Sequence, residues 1–510
     1  MFFCKKRTPP VPPDYSASNK QFDFYGYSAL IDGWNIDGVD YHSGEDYLSV
    51  ERIKEYKDAG MTIYFPQSAA AVNAEVAKDW ENSRAKRALD YALEAGIDKV
   101  ILNDYRIQSL TKQDFGTVDE IREMAKNGTI YEHEKYGLIG AGKQFATEAD
   151  LDAFVEDCLS LYKDHEAFYG IMLGDEPNFY HAESYGQMYR SIQRVSKKLG
   201  KDIYIQYNLN PIGIAFSPIM REFHCPPVGN TDGLTEEQII EKAYEGYIRL
   251  FMEKTGAKYI QYDDYPLYRK EYITNWYFFA QQMVSKLAKE YGAEFYFVTQ
   301  TFNKQQKQDD KYTYRDFTEA DMRWLNNALV GFGIKQISYF TYFTKADNNA
   351  EHFEDGKSFI TWHGEKTEMY DWMQKIMAEE QKLAPIVLNF AYKSSKLYSK
   401  PTEGLDLEYV RLQYPTPDFT KVTDVKFDKG AALVTELYDE EKDNYLYMVQ
   451  NLIDPVKNFA APLQTVTLTF DSKYKYASVY VKGERAEVKL KKGKLTVKQT
   501  EGEAVYVMPY

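Results

Sequence analysis

Two kinds of segment alternate along the first three quarters of the chain. Short apolar runs that end in polar residues predict β-strands, and segments with apolar residues every three or four positions predict helices. The predicted strands are 24–31, 61–66, 99–103, 169–173, 203–207, 259–262, 294–299 and 334–340. The predicted helices are 49–59, 81–96, 147–165, 182–199, 234–255, 271–291, 316–332 and 366–384. Eight consecutive strand–helix units predict a (β/α)8 TIM barrel over residues 21–387. The glycine-rich dinucleotide turn of an open doubly wound sheet does not follow the first strand.

The pattern changes from about residue 388 onward. Helical periodicity disappears, and short β-rich runs alternate apolar with polar residues between turns. These runs are 431–437, 445–450, 465–470, 477–481, 486–490, 494–498 and 504–508. They predict an all-β sandwich domain over residues 388–510. At the other end, residues 1–20 are rich in proline and serine and predict a flexible leader.

Charge and aromatic content narrow the class of partner. The chain carries 62 Lys and Arg against 77 Asp and Glu, a formal charge of −15, which disfavours nucleic acid and anionic membranes as partners. Tyrosine is abundant, with 45 residues, and its apolar ring with a polar tip suits the mixed faces of a sugar. We therefore expect an oligosaccharide or glycoconjugate as the partner; the oligomeric state is left open.

Cysteine content and the first residues bear on the compartment. Three cysteines do not make a disulfide framework, and no apolar run is long enough to span a membrane. The opening residues lack the apolar stretch of a signal peptide. The sequence as written therefore predicts a cytoplasmic protein, whereas a secreted or surface location would require a trimmed N-terminus.

The strand ends carry carboxylates, amides and aromatic hydroxyls. In a (β/α)8 barrel the active site is built at the C-terminal ends of the strands. The strand ends have no histidine cluster for a catalytic metal, and the chain lacks the Gly-x-Ser-x-Gly elbow of serine hydrolases. We expect neither a metal nor another cofactor. Carboxylate chemistry remains, and cleavage of a glycosidic bond uses two carboxyl groups, one as acid and one as stabiliser or nucleophile. Glu176 after the fourth strand, with Asp175 or with Asp263 after the sixth, could supply the catalytic pair.

Several further strand-end side chains are candidates for binding the sugar. Amides and hydroxyls would hold sugar hydroxyls, and a tryptophan would stack on a ring. Asp104 could bind the sugar or support Glu176. The candidate substrate-binding residues are Tyr265, Asn208, Gln300, Asp104, Trp34, Tyr339, Tyr342 and Trp362.

Three strand motifs resemble those of a group of bacterial barrel-type glycoside hydrolases. The string YGIMLGDEPN at 169–178 resembles the group's Gly-Asp-Glu-Pro motif on the fourth strand. YDDYP at 262–266 and ISYFTYFT at 337–344 resemble its sixth- and eighth-strand motifs, and ALVTELYDEEKDNYLYMVQN at 432–451 resembles its accessory β-domain. The resemblance covers most of the chain and implies a bacterial hydrolase of O-glycosidic bonds with Glu176 as general acid/base.

One departure leaves two mechanisms open. Many retaining barrel glycosidases have a nucleophilic Glu at the end of the seventh strand, where this chain has Gln300. Asp263 could act as nucleophile or base opposite Glu176. Alternatively, Asp175 and Glu176 could work as in N-acetylhexosaminidases, where the Asp orients the substrate's acetamido group and a tyrosine, here Tyr265, holds its oxygen. A catalytically inactive carbohydrate-binding protein on the same scaffold is the alternative to an enzyme, and a carboxylate facing Glu176 would favour the enzyme.

Overall fold

The fold combines parallel and antiparallel strands with eleven described helices. The computed structural model describes residues 11–30, 35–36, 39–40, 47–111, 145–268, 275–302, 314–344, 357–361, 363–400, 412–454 and 463–510. The strands are β1 (Asp23–Gly26), β2 (Asn35–Ile36), β3 (Val39–Asp40), β4 (Val100–Asn103), β5 (Phe168–Asp175), β6 (Tyr204–Asn208), β7 (Tyr259–Asp263), β8 (Glu294–Gln300), β9 (Gln336–Phe340), β10 (Ala391–Lys400), β11 (Val422–Phe427), β12 (Gly430–Asp439), β13 (Asn444–Asn451), β14 (Gln464–Phe470), β15 (Tyr476–Val481), β16 (Glu484–Lys489), β17 (Lys494–Gln499) and β18 (Ala504–Pro509). The helices are α1 (Val50–Asp58), α2 (Ala74–Lys78), α3 (Arg84–Glu94), α4 (Tyr105–Gln108), α5 (Glu148–Leu159), α6 (Ala182–Leu199), α7 (Pro218–His224), α8 (Glu236–Thr255), α9 (Asn275–Tyr291), α10 (Glu319–Gly331) and α11 (Glu368–Val387).

The parallel strands form two sheets that backbone hydrogen bonds connect at both edges. One sheet has the order β1-β9-β8-β7 and the other the order β4-β5-β6. Between β1 and β4, Thr62 N donates to Phe24 O, and Tyr64 N donates to Lys99 O, each at 2.8 Å. Between β6 and β7, Leu209 N donates to Gln261 O at 2.9 Å. Described residues 61–66 form an isolated bridge at Tyr64 rather than the regular second strand that the sequence predicts.

The predicted helices are present, and their ends follow local chemistry. Side-chain oxygens of Thr147, Thr235 and Thr318 accept backbone N–H groups at the starts of α5, α8 and α10. Gly200 and Gly256 close α6 and α8 with φ angles of 65° and 64°, which favour glycine because it lacks a Cβ. These signals explain why helix boundaries were readable from the sequence.

The C-terminal part consists of two separate antiparallel sheets. A six-stranded sheet has the order β10-β12-β13-β18-β15-β16, and a three-stranded sheet has the order β11-β14-β17. One buried cluster contains residues from both sheets, among them Val434, Val449, Val466 and Leu468. The alternating pattern of β14, which points every second residue into this cluster, follows from the two-residue period of a strand. The sequence predicted seven of these strands and missed β10 and β11.

The antiparallel sheets pack closely against the helices that follow the parallel strands. Gln450 Nε2 donates to the backbone oxygen of Trp324 in α10 at 2.8 Å, and Gln282 Nε2 in α9 donates to Ser395 Oγ at 2.9 Å. One continuous apolar cluster includes Trp324 together with Met448 and Tyr506. Burial of so much shared apolar surface stabilises the arrangement by the hydrophobic effect.

Residues 11–20, part of the expected flexible leader, contact the rest of the fold at two places. Tyr15 is buried, and its hydroxyl donates to Asp439 Oδ2 on the six-stranded sheet at 2.7 Å. Lys20 Nζ donates to Leu388 O at 3.2 Å. An aromatic anchor with a charged hydrogen-bond partner outweighs the local preference of proline and serine for irregular structure.

Candidate active site

Three carboxyl groups and one amide meet at the C-terminal ends of β5, β6 and β7. Asp175 is the last residue of β5, and Glu176 follows it. Asp175 is paired in register with Asn208, the last residue of β6, and Asp263 is the last residue of β7. Because the strands are parallel, their C-terminal ends lie at one edge, and these side chains are neighbours as the sequence predicts.

Asn208 bridges two of the carboxylates, and the third lies beside them. Its Nδ2 donates to Asp263 Oδ1 at 2.7 Å and to Asp175 Oδ1 at 3.1 Å. The Glu176 carboxyl lies beside the Asp263 carboxyl, close enough for each to shift the pKa of the other. The backbone of Glu176 is tied to the same amide residue, since Glu176 N donates to Asn208 O at 2.9 Å. We call Asp175, Glu176, Asn208 and Asp263 the carboxyl cluster.

Burial and mutual repulsion keep protons on the carboxyl cluster near neutral pH. Burial, followed by the negative charge of Asp175, raises the pKa of Glu176 to about 7, and the nearby Asp263 side chain partly offsets this. Burial, then the charges of Glu176 and Asp175, raises the pKa of Asp263 well above its usual range. Asp263 is only 3% exposed, whereas Glu176 is accessible to solvent. Carboxyl groups this close cannot all ionise, so the pair shares a proton.

The backbone around Glu176 has a fixed and unusual conformation. Glu176 has a φ of 46°, in the left-handed region that few residues other than glycine adopt. The carbonyl of Pro177 accepts hydrogen bonds from Asn210 Nδ2 at 2.9 Å and Tyr247 Oη at 2.7 Å. On the other side, a Cβ on Gly174 would lie 1.8 Å from the Tyr185 hydroxyl. The surrounding packing therefore imposes the turn that presents the Glu176 side chain.

A layer of tyrosine and glutamine side chains lies directly below the carboxyl cluster. Its glutamines are two residues earlier than the cluster residues on β6 and β7. Successive residues of a strand point to opposite faces, so Gln206 shares a face with Asn208, and Gln261 shares a face with Asp263. Gln206 Nε2 donates to Tyr27 Oη at 2.7 Å, and Gln261 Nε2 donates to Tyr25 Oη at 3.2 Å. These four side chains are buried, and the amide Nε2 groups of Gln206 and Gln261 connect them through the tyrosine hydroxyls into one layer.

Tyr265 lies beside the carboxyl cluster. Besides burial, the charges of Asp263, Glu176 and Asp175 raise the pKa of its hydroxyl well above the usual range, which reflects their closeness. Its ring stacks on Phe340 with a centroid distance of 5.8 Å. A tyrosine held this way remains a neutral hydrogen-bond donor at physiological pH.

Asp104 and Gln300, two of the predicted sugar ligands, make hydrogen bonds within the fold rather than to the carboxyl cluster. Asp104 is 1% exposed, caps α4, accepts from Arg106 Nη2 at 2.6 Å and accepts the Tyr162 hydroxyl at 2.8 Å. Gln300 is fully buried and accepts the backbone N–H of Leu267 at 3.0 Å. Local capping and loop support occupy their polar atoms, and a strand-end position alone does not reveal this.

Tyr339 and Tyr342, two more of the predicted sugar ligands, have their described contacts away from the carboxyl cluster. The Tyr339 hydroxyl donates to Asn326 Oδ1 in α10 at 3.2 Å, because alternation along β9 turns Tyr339 toward the helices and Phe340 toward Tyr265. The Tyr342 ring packs edge-on against Tyr56 at 4.7 Å. The two predicted stacking residues, Trp34 and Trp362, lie outside the described residues.

Tyr27 is a residue near the carboxyl cluster that was not among the candidates predicted from the sequence. Burial raises the pKa of its hydroxyl well above the usual range, and the charges of Asp175 and Asp263 add to the shift, which reflects their closeness. The prediction extended the first strand to residue 31, whereas β1 ends at Gly26. Tyr27 lies two positions after Tyr25, and this alternation is the sequence signal that could have identified Tyr27 as a residue near the carboxyl cluster.

Metal ligands and membrane helices are not evident in the part of the chain that the structure describes. Within that part, His, Cys, Asp and Glu form no group of three or more arranged to hold a metal ion. None of its helices combines the length and apolar character needed to cross a membrane.

Comparisons with known proteins return distant structural resemblances only. No protein-family model matches the chain, and no curated protein matches it. It is similar to a family 39 glycoside hydrolase from Bacteroides cellulosilyticus at 10% identity and a TM-score of 0.43, covering 96% of this chain and 81% of that one. It is similar to an Anoxybacillus α-amylase at 11% identity and a TM-score of 0.48, covering 96% and 98% of the two chains. A GH27 β-L-arabinopyranosidase from Geobacillus stearothermophilus resembles it at 11% identity and a TM-score of 0.45, with 97% of each chain covered. At this level of similarity, neither fold nor activity transfers to this chain.

Proposed function

We propose that the protein is a glycoside hydrolase whose general acid is Glu176. The observation that carries the proposal is the carboxyl cluster, in which Asn208 Nδ2 donates to both Asp175 and Asp263 and the pKa of Glu176 is raised to about 7. The hydrogen bonds at Tyr64 and Leu209, which connect the two parallel sheets, support a closed (β/α)8 barrel over residues 21–387. The paired antiparallel sheets support a β-sandwich over residues 388–510.

The raised pKa of Glu176 fits the role of an acid. The departing oxygen of a glycosidic bond must be protonated as the bond breaks, and an ordinary glutamate is ionised at neutral pH. Burial and the charge of Asp175 keep the Glu176 proton available up to about pH 7. Because Glu176 is accessible to solvent while Asp263 is buried, Glu176 is the carboxyl that a leaving group can reach.

The geometry favours the mechanism in which the substrate supplies the nucleophile. The charge of Glu176 raises the pKa of Asp263, so these two carboxyl groups are neighbours, whereas a retaining carboxylate pair stands roughly 5–5.5 Å apart to flank a sugar. The raised pKa of Asp263 also makes it a poor nucleophile, since the protonated form has no charge. Asp175 and Tyr265 lie beside Glu176, where they could orient and hold an acetamido group, so an N-acetylhexosaminide is the proposed substrate.

The two-carboxylate mechanism is the second candidate because Asp263 faces Glu176. That contact also favours an enzyme over a carbohydrate-binding protein without turnover, because binding alone gives no reason to bury a proton-sharing carboxyl pair. If substrate binding separated the two groups, Asp263 could act as nucleophile or base.

Paired substrates distinguish these candidates. N-acetylhexosaminides and plain hexosides with the same natural-type leaving group would be offered to the wild type and to Glu176→Gln, Asp175→Asn and Asp263→Asn. We expect hydrolysis of an N-acetylated substrate that is lost in Glu176→Gln and strongly reduced in Asp175→Asn, because the acid and the orienting group are removed. Hydrolysis of plain hexosides, with azide restoring turnover of an activated glycoside by Asp263→Asn, would instead identify Asp263 as the nucleophile.

Glu166→Gln is the matched control. Glu166 is exposed and precedes the N-terminal end of β5, so the same change is made at the opposite end of the same strand. Its activity should equal that of the wild type. Undiminished cleavage of a natural-type linkage by Glu176→Gln would reject Glu176 as the acid, and specific sugar binding without cleavage would favour the binding protein.

A further inference from the structure

A buried ion pair joins the antiparallel part of the chain to a segment that precedes α10. Asp454, which follows β13, accepts from Arg315 Nη1 at 2.8 Å and from Arg315 Nη2 at 3.0 Å. The side chains are only 5% and 2% exposed. Asp321 also faces Arg315 Nη1 at 3.4 Å, while its other oxygen caps α10. A bidentate pair of this kind fixes the guanidinium in both position and orientation.

Arg315 in turn holds the loop that follows β7. Its Nε donates to Tyr268 O at 3.0 Å, and its backbone N–H donates to Leu267 O at 3.3 Å. The preceding residue, Tyr314, forms an antiparallel bridge with Tyr268, and their rings lie 4.8 Å apart. The guanidinium therefore links Asp454 to the loop that follows Asp263, the last residue of β7.

The same loop carries Tyr265. The Tyr314 ring meets the Tyr265 ring edge-on at 6.5 Å. Phe302 packs against both rings, at 5.5 Å from Tyr265 and 5.1 Å from Tyr314. A continuous chain of direct contacts thus runs from Asp454 through Arg315 and Tyr314 to the tyrosine beside the carboxyl cluster.

Three other hydrogen bonds of the described antiparallel sheets end on helices. Gln450 and Gly502 contact α10, through Trp324 O and the Asn327 amide, and Ser395 contacts Gln282 of α9. Those contacts suffice to attach the sheets to the helices. The Arg315–Asp454 pair differs because it ends on the loop after β7, and a buried ion pair contributes more to geometry than to net stability, since desolvation offsets much of its attraction.

We propose that Asp454 and Arg315 are positioning residues, through which the C-terminal antiparallel domain fixes Tyr265 beside Glu176 and Asp263. The domain is then part of the catalytic apparatus rather than a separate binding module. The catalytic consequence rests on the proposed glycosidase function, whereas the structural link does not depend on it.

Hydrogen–deuterium exchange combined with kinetics tests this proposal. Asp454→Asn removes the charge that holds Arg315, and Arg315→Lys keeps the positive charge but loses the fork and the Nε contact. The amides of Tyr265 and Leu267, which donate to Asp264 and Gln300, report the loop. We expect faster exchange at 264–268 in both variants, with kcat lowered about 10- to 100-fold and KM changed less, because small displacements of a positioning group carry that cost.

Glu484→Gln is the matched control. Glu484 forms an exposed ion pair with Lys382 of α11 at 2.7 Å, so it also joins the antiparallel sheets to a helix but lies away from the loop. It should exchange and turn over substrate as the wild type does. Should Asp454→Asn fail to fold, Arg315→Lys, which leaves Asp454 paired with a cation, carries the test.

Each outcome decides the proposal. Unchanged exchange at 264–268 in the folded variants would overturn the link, and faster exchange with unchanged kcat would overturn the positioning role. If the wild type cleaves no glycoside while exchange at 264–268 rises, the proposed function fails and the structural link stands.

Discussion

Glu380 offers a quantitative test of the structure that needs no substrate. This residue of α11 is 3% exposed, and neither carboxyl oxygen has a hydrogen-bond partner among the described residues. It borders a small cavity between helices α10 and α11 and the antiparallel sheets, where the charged and phenolic neighbours are Arg323, Glu379, Lys482, Glu503 and Tyr506. Burial raises the pKa of Glu380 from its ordinary 4.5 to about 8, and Arg323 offsets this in part.

The sign and size of the effect follow from proton linkage. Below pH 4.5, Glu380 is protonated in both folded and unfolded chains and contributes nothing. Between pH 4.5 and about 8 the unfolded chain ionises and the folded protein does not, which lowers the free energy of unfolding by about 1.4 kcal/mol per pH unit. The loss reaches roughly 5 kcal/mol near pH 8 and is constant above it.

Glu380→Gln removes this penalty, so its advantage should grow with pH. Relative to the wild type, the melting temperature of the variant should rise by about 1 °C per kcal/mol for a chain of this length, or roughly 3–4 °C between pH 5 and pH 8. Calorimetry at pH 5, 6, 7 and 8 measures the difference. Glu368→Gln, an exposed position of the same helix, is the control and should give a pH-independent difference. A difference for Glu380→Gln that does not change with pH would refute the assigned burial of a neutral carboxyl.

Three further predictions concern the carboxyl cluster. Gly174→Ala should lower stability by about 1–3 kcal/mol through overpacking, and Tyr185→Phe should recover part of this loss in thermal melts, because the clashing atom is the Tyr185 hydroxyl. If Glu176 is the acid, kcat/KM should fall as pH rises through about 7, and Asp175→Asn should move this inflection to lower pH by removing a charge that raises the pKa. Asn208→Asp should move the inflection to higher pH by adding a charge, and a shift in the opposite direction in either pH–rate profile would contradict the electrostatic assignment.

The alternation of strands and helices was predictable because short apolar runs mark the strands, whereas apolar residues recur every three or four positions in the helices. Helix ends were marked by capping threonines and by glycines such as Gly200, whose roles are local. Placement of Asp175, Glu176 and Asp263 in one cluster followed from a topological rule, since the ends of parallel strands meet. The expectation needed no knowledge of side-chain packing.

The substrate-binding predictions depended on side-chain direction, which the order of strands and helices does not specify. A shift of one residue along β9 exchanges the faces, so Tyr339 packs toward α10 and Phe340 contacts Tyr265. Asp104 has local partners that the sequence could not rank against a sugar. Contacts between distant segments, such as Arg315 with Asp454, leave no periodic signal at all.

The left-handed backbone at Glu176 has an evolutionary consequence. A residue with a φ of 46° is held against its own preference, at a cost of about 1–3 kcal/mol. Two other strand-end residues have similar backbone angles: Ser28, after β1, has a φ of 51°, and Gln67, after residues 61–66, has a φ of 50°. The backbone N–H of Ser28 donates to Gln67 Oε1. Asparagine or glycine at 176 would relax the chain but would remove the carboxyl group that we propose as the general acid. Selection for stability alone would favour glycine or asparagine here, so under the proposed function this glutamate is kept for activity at the expense of robustness.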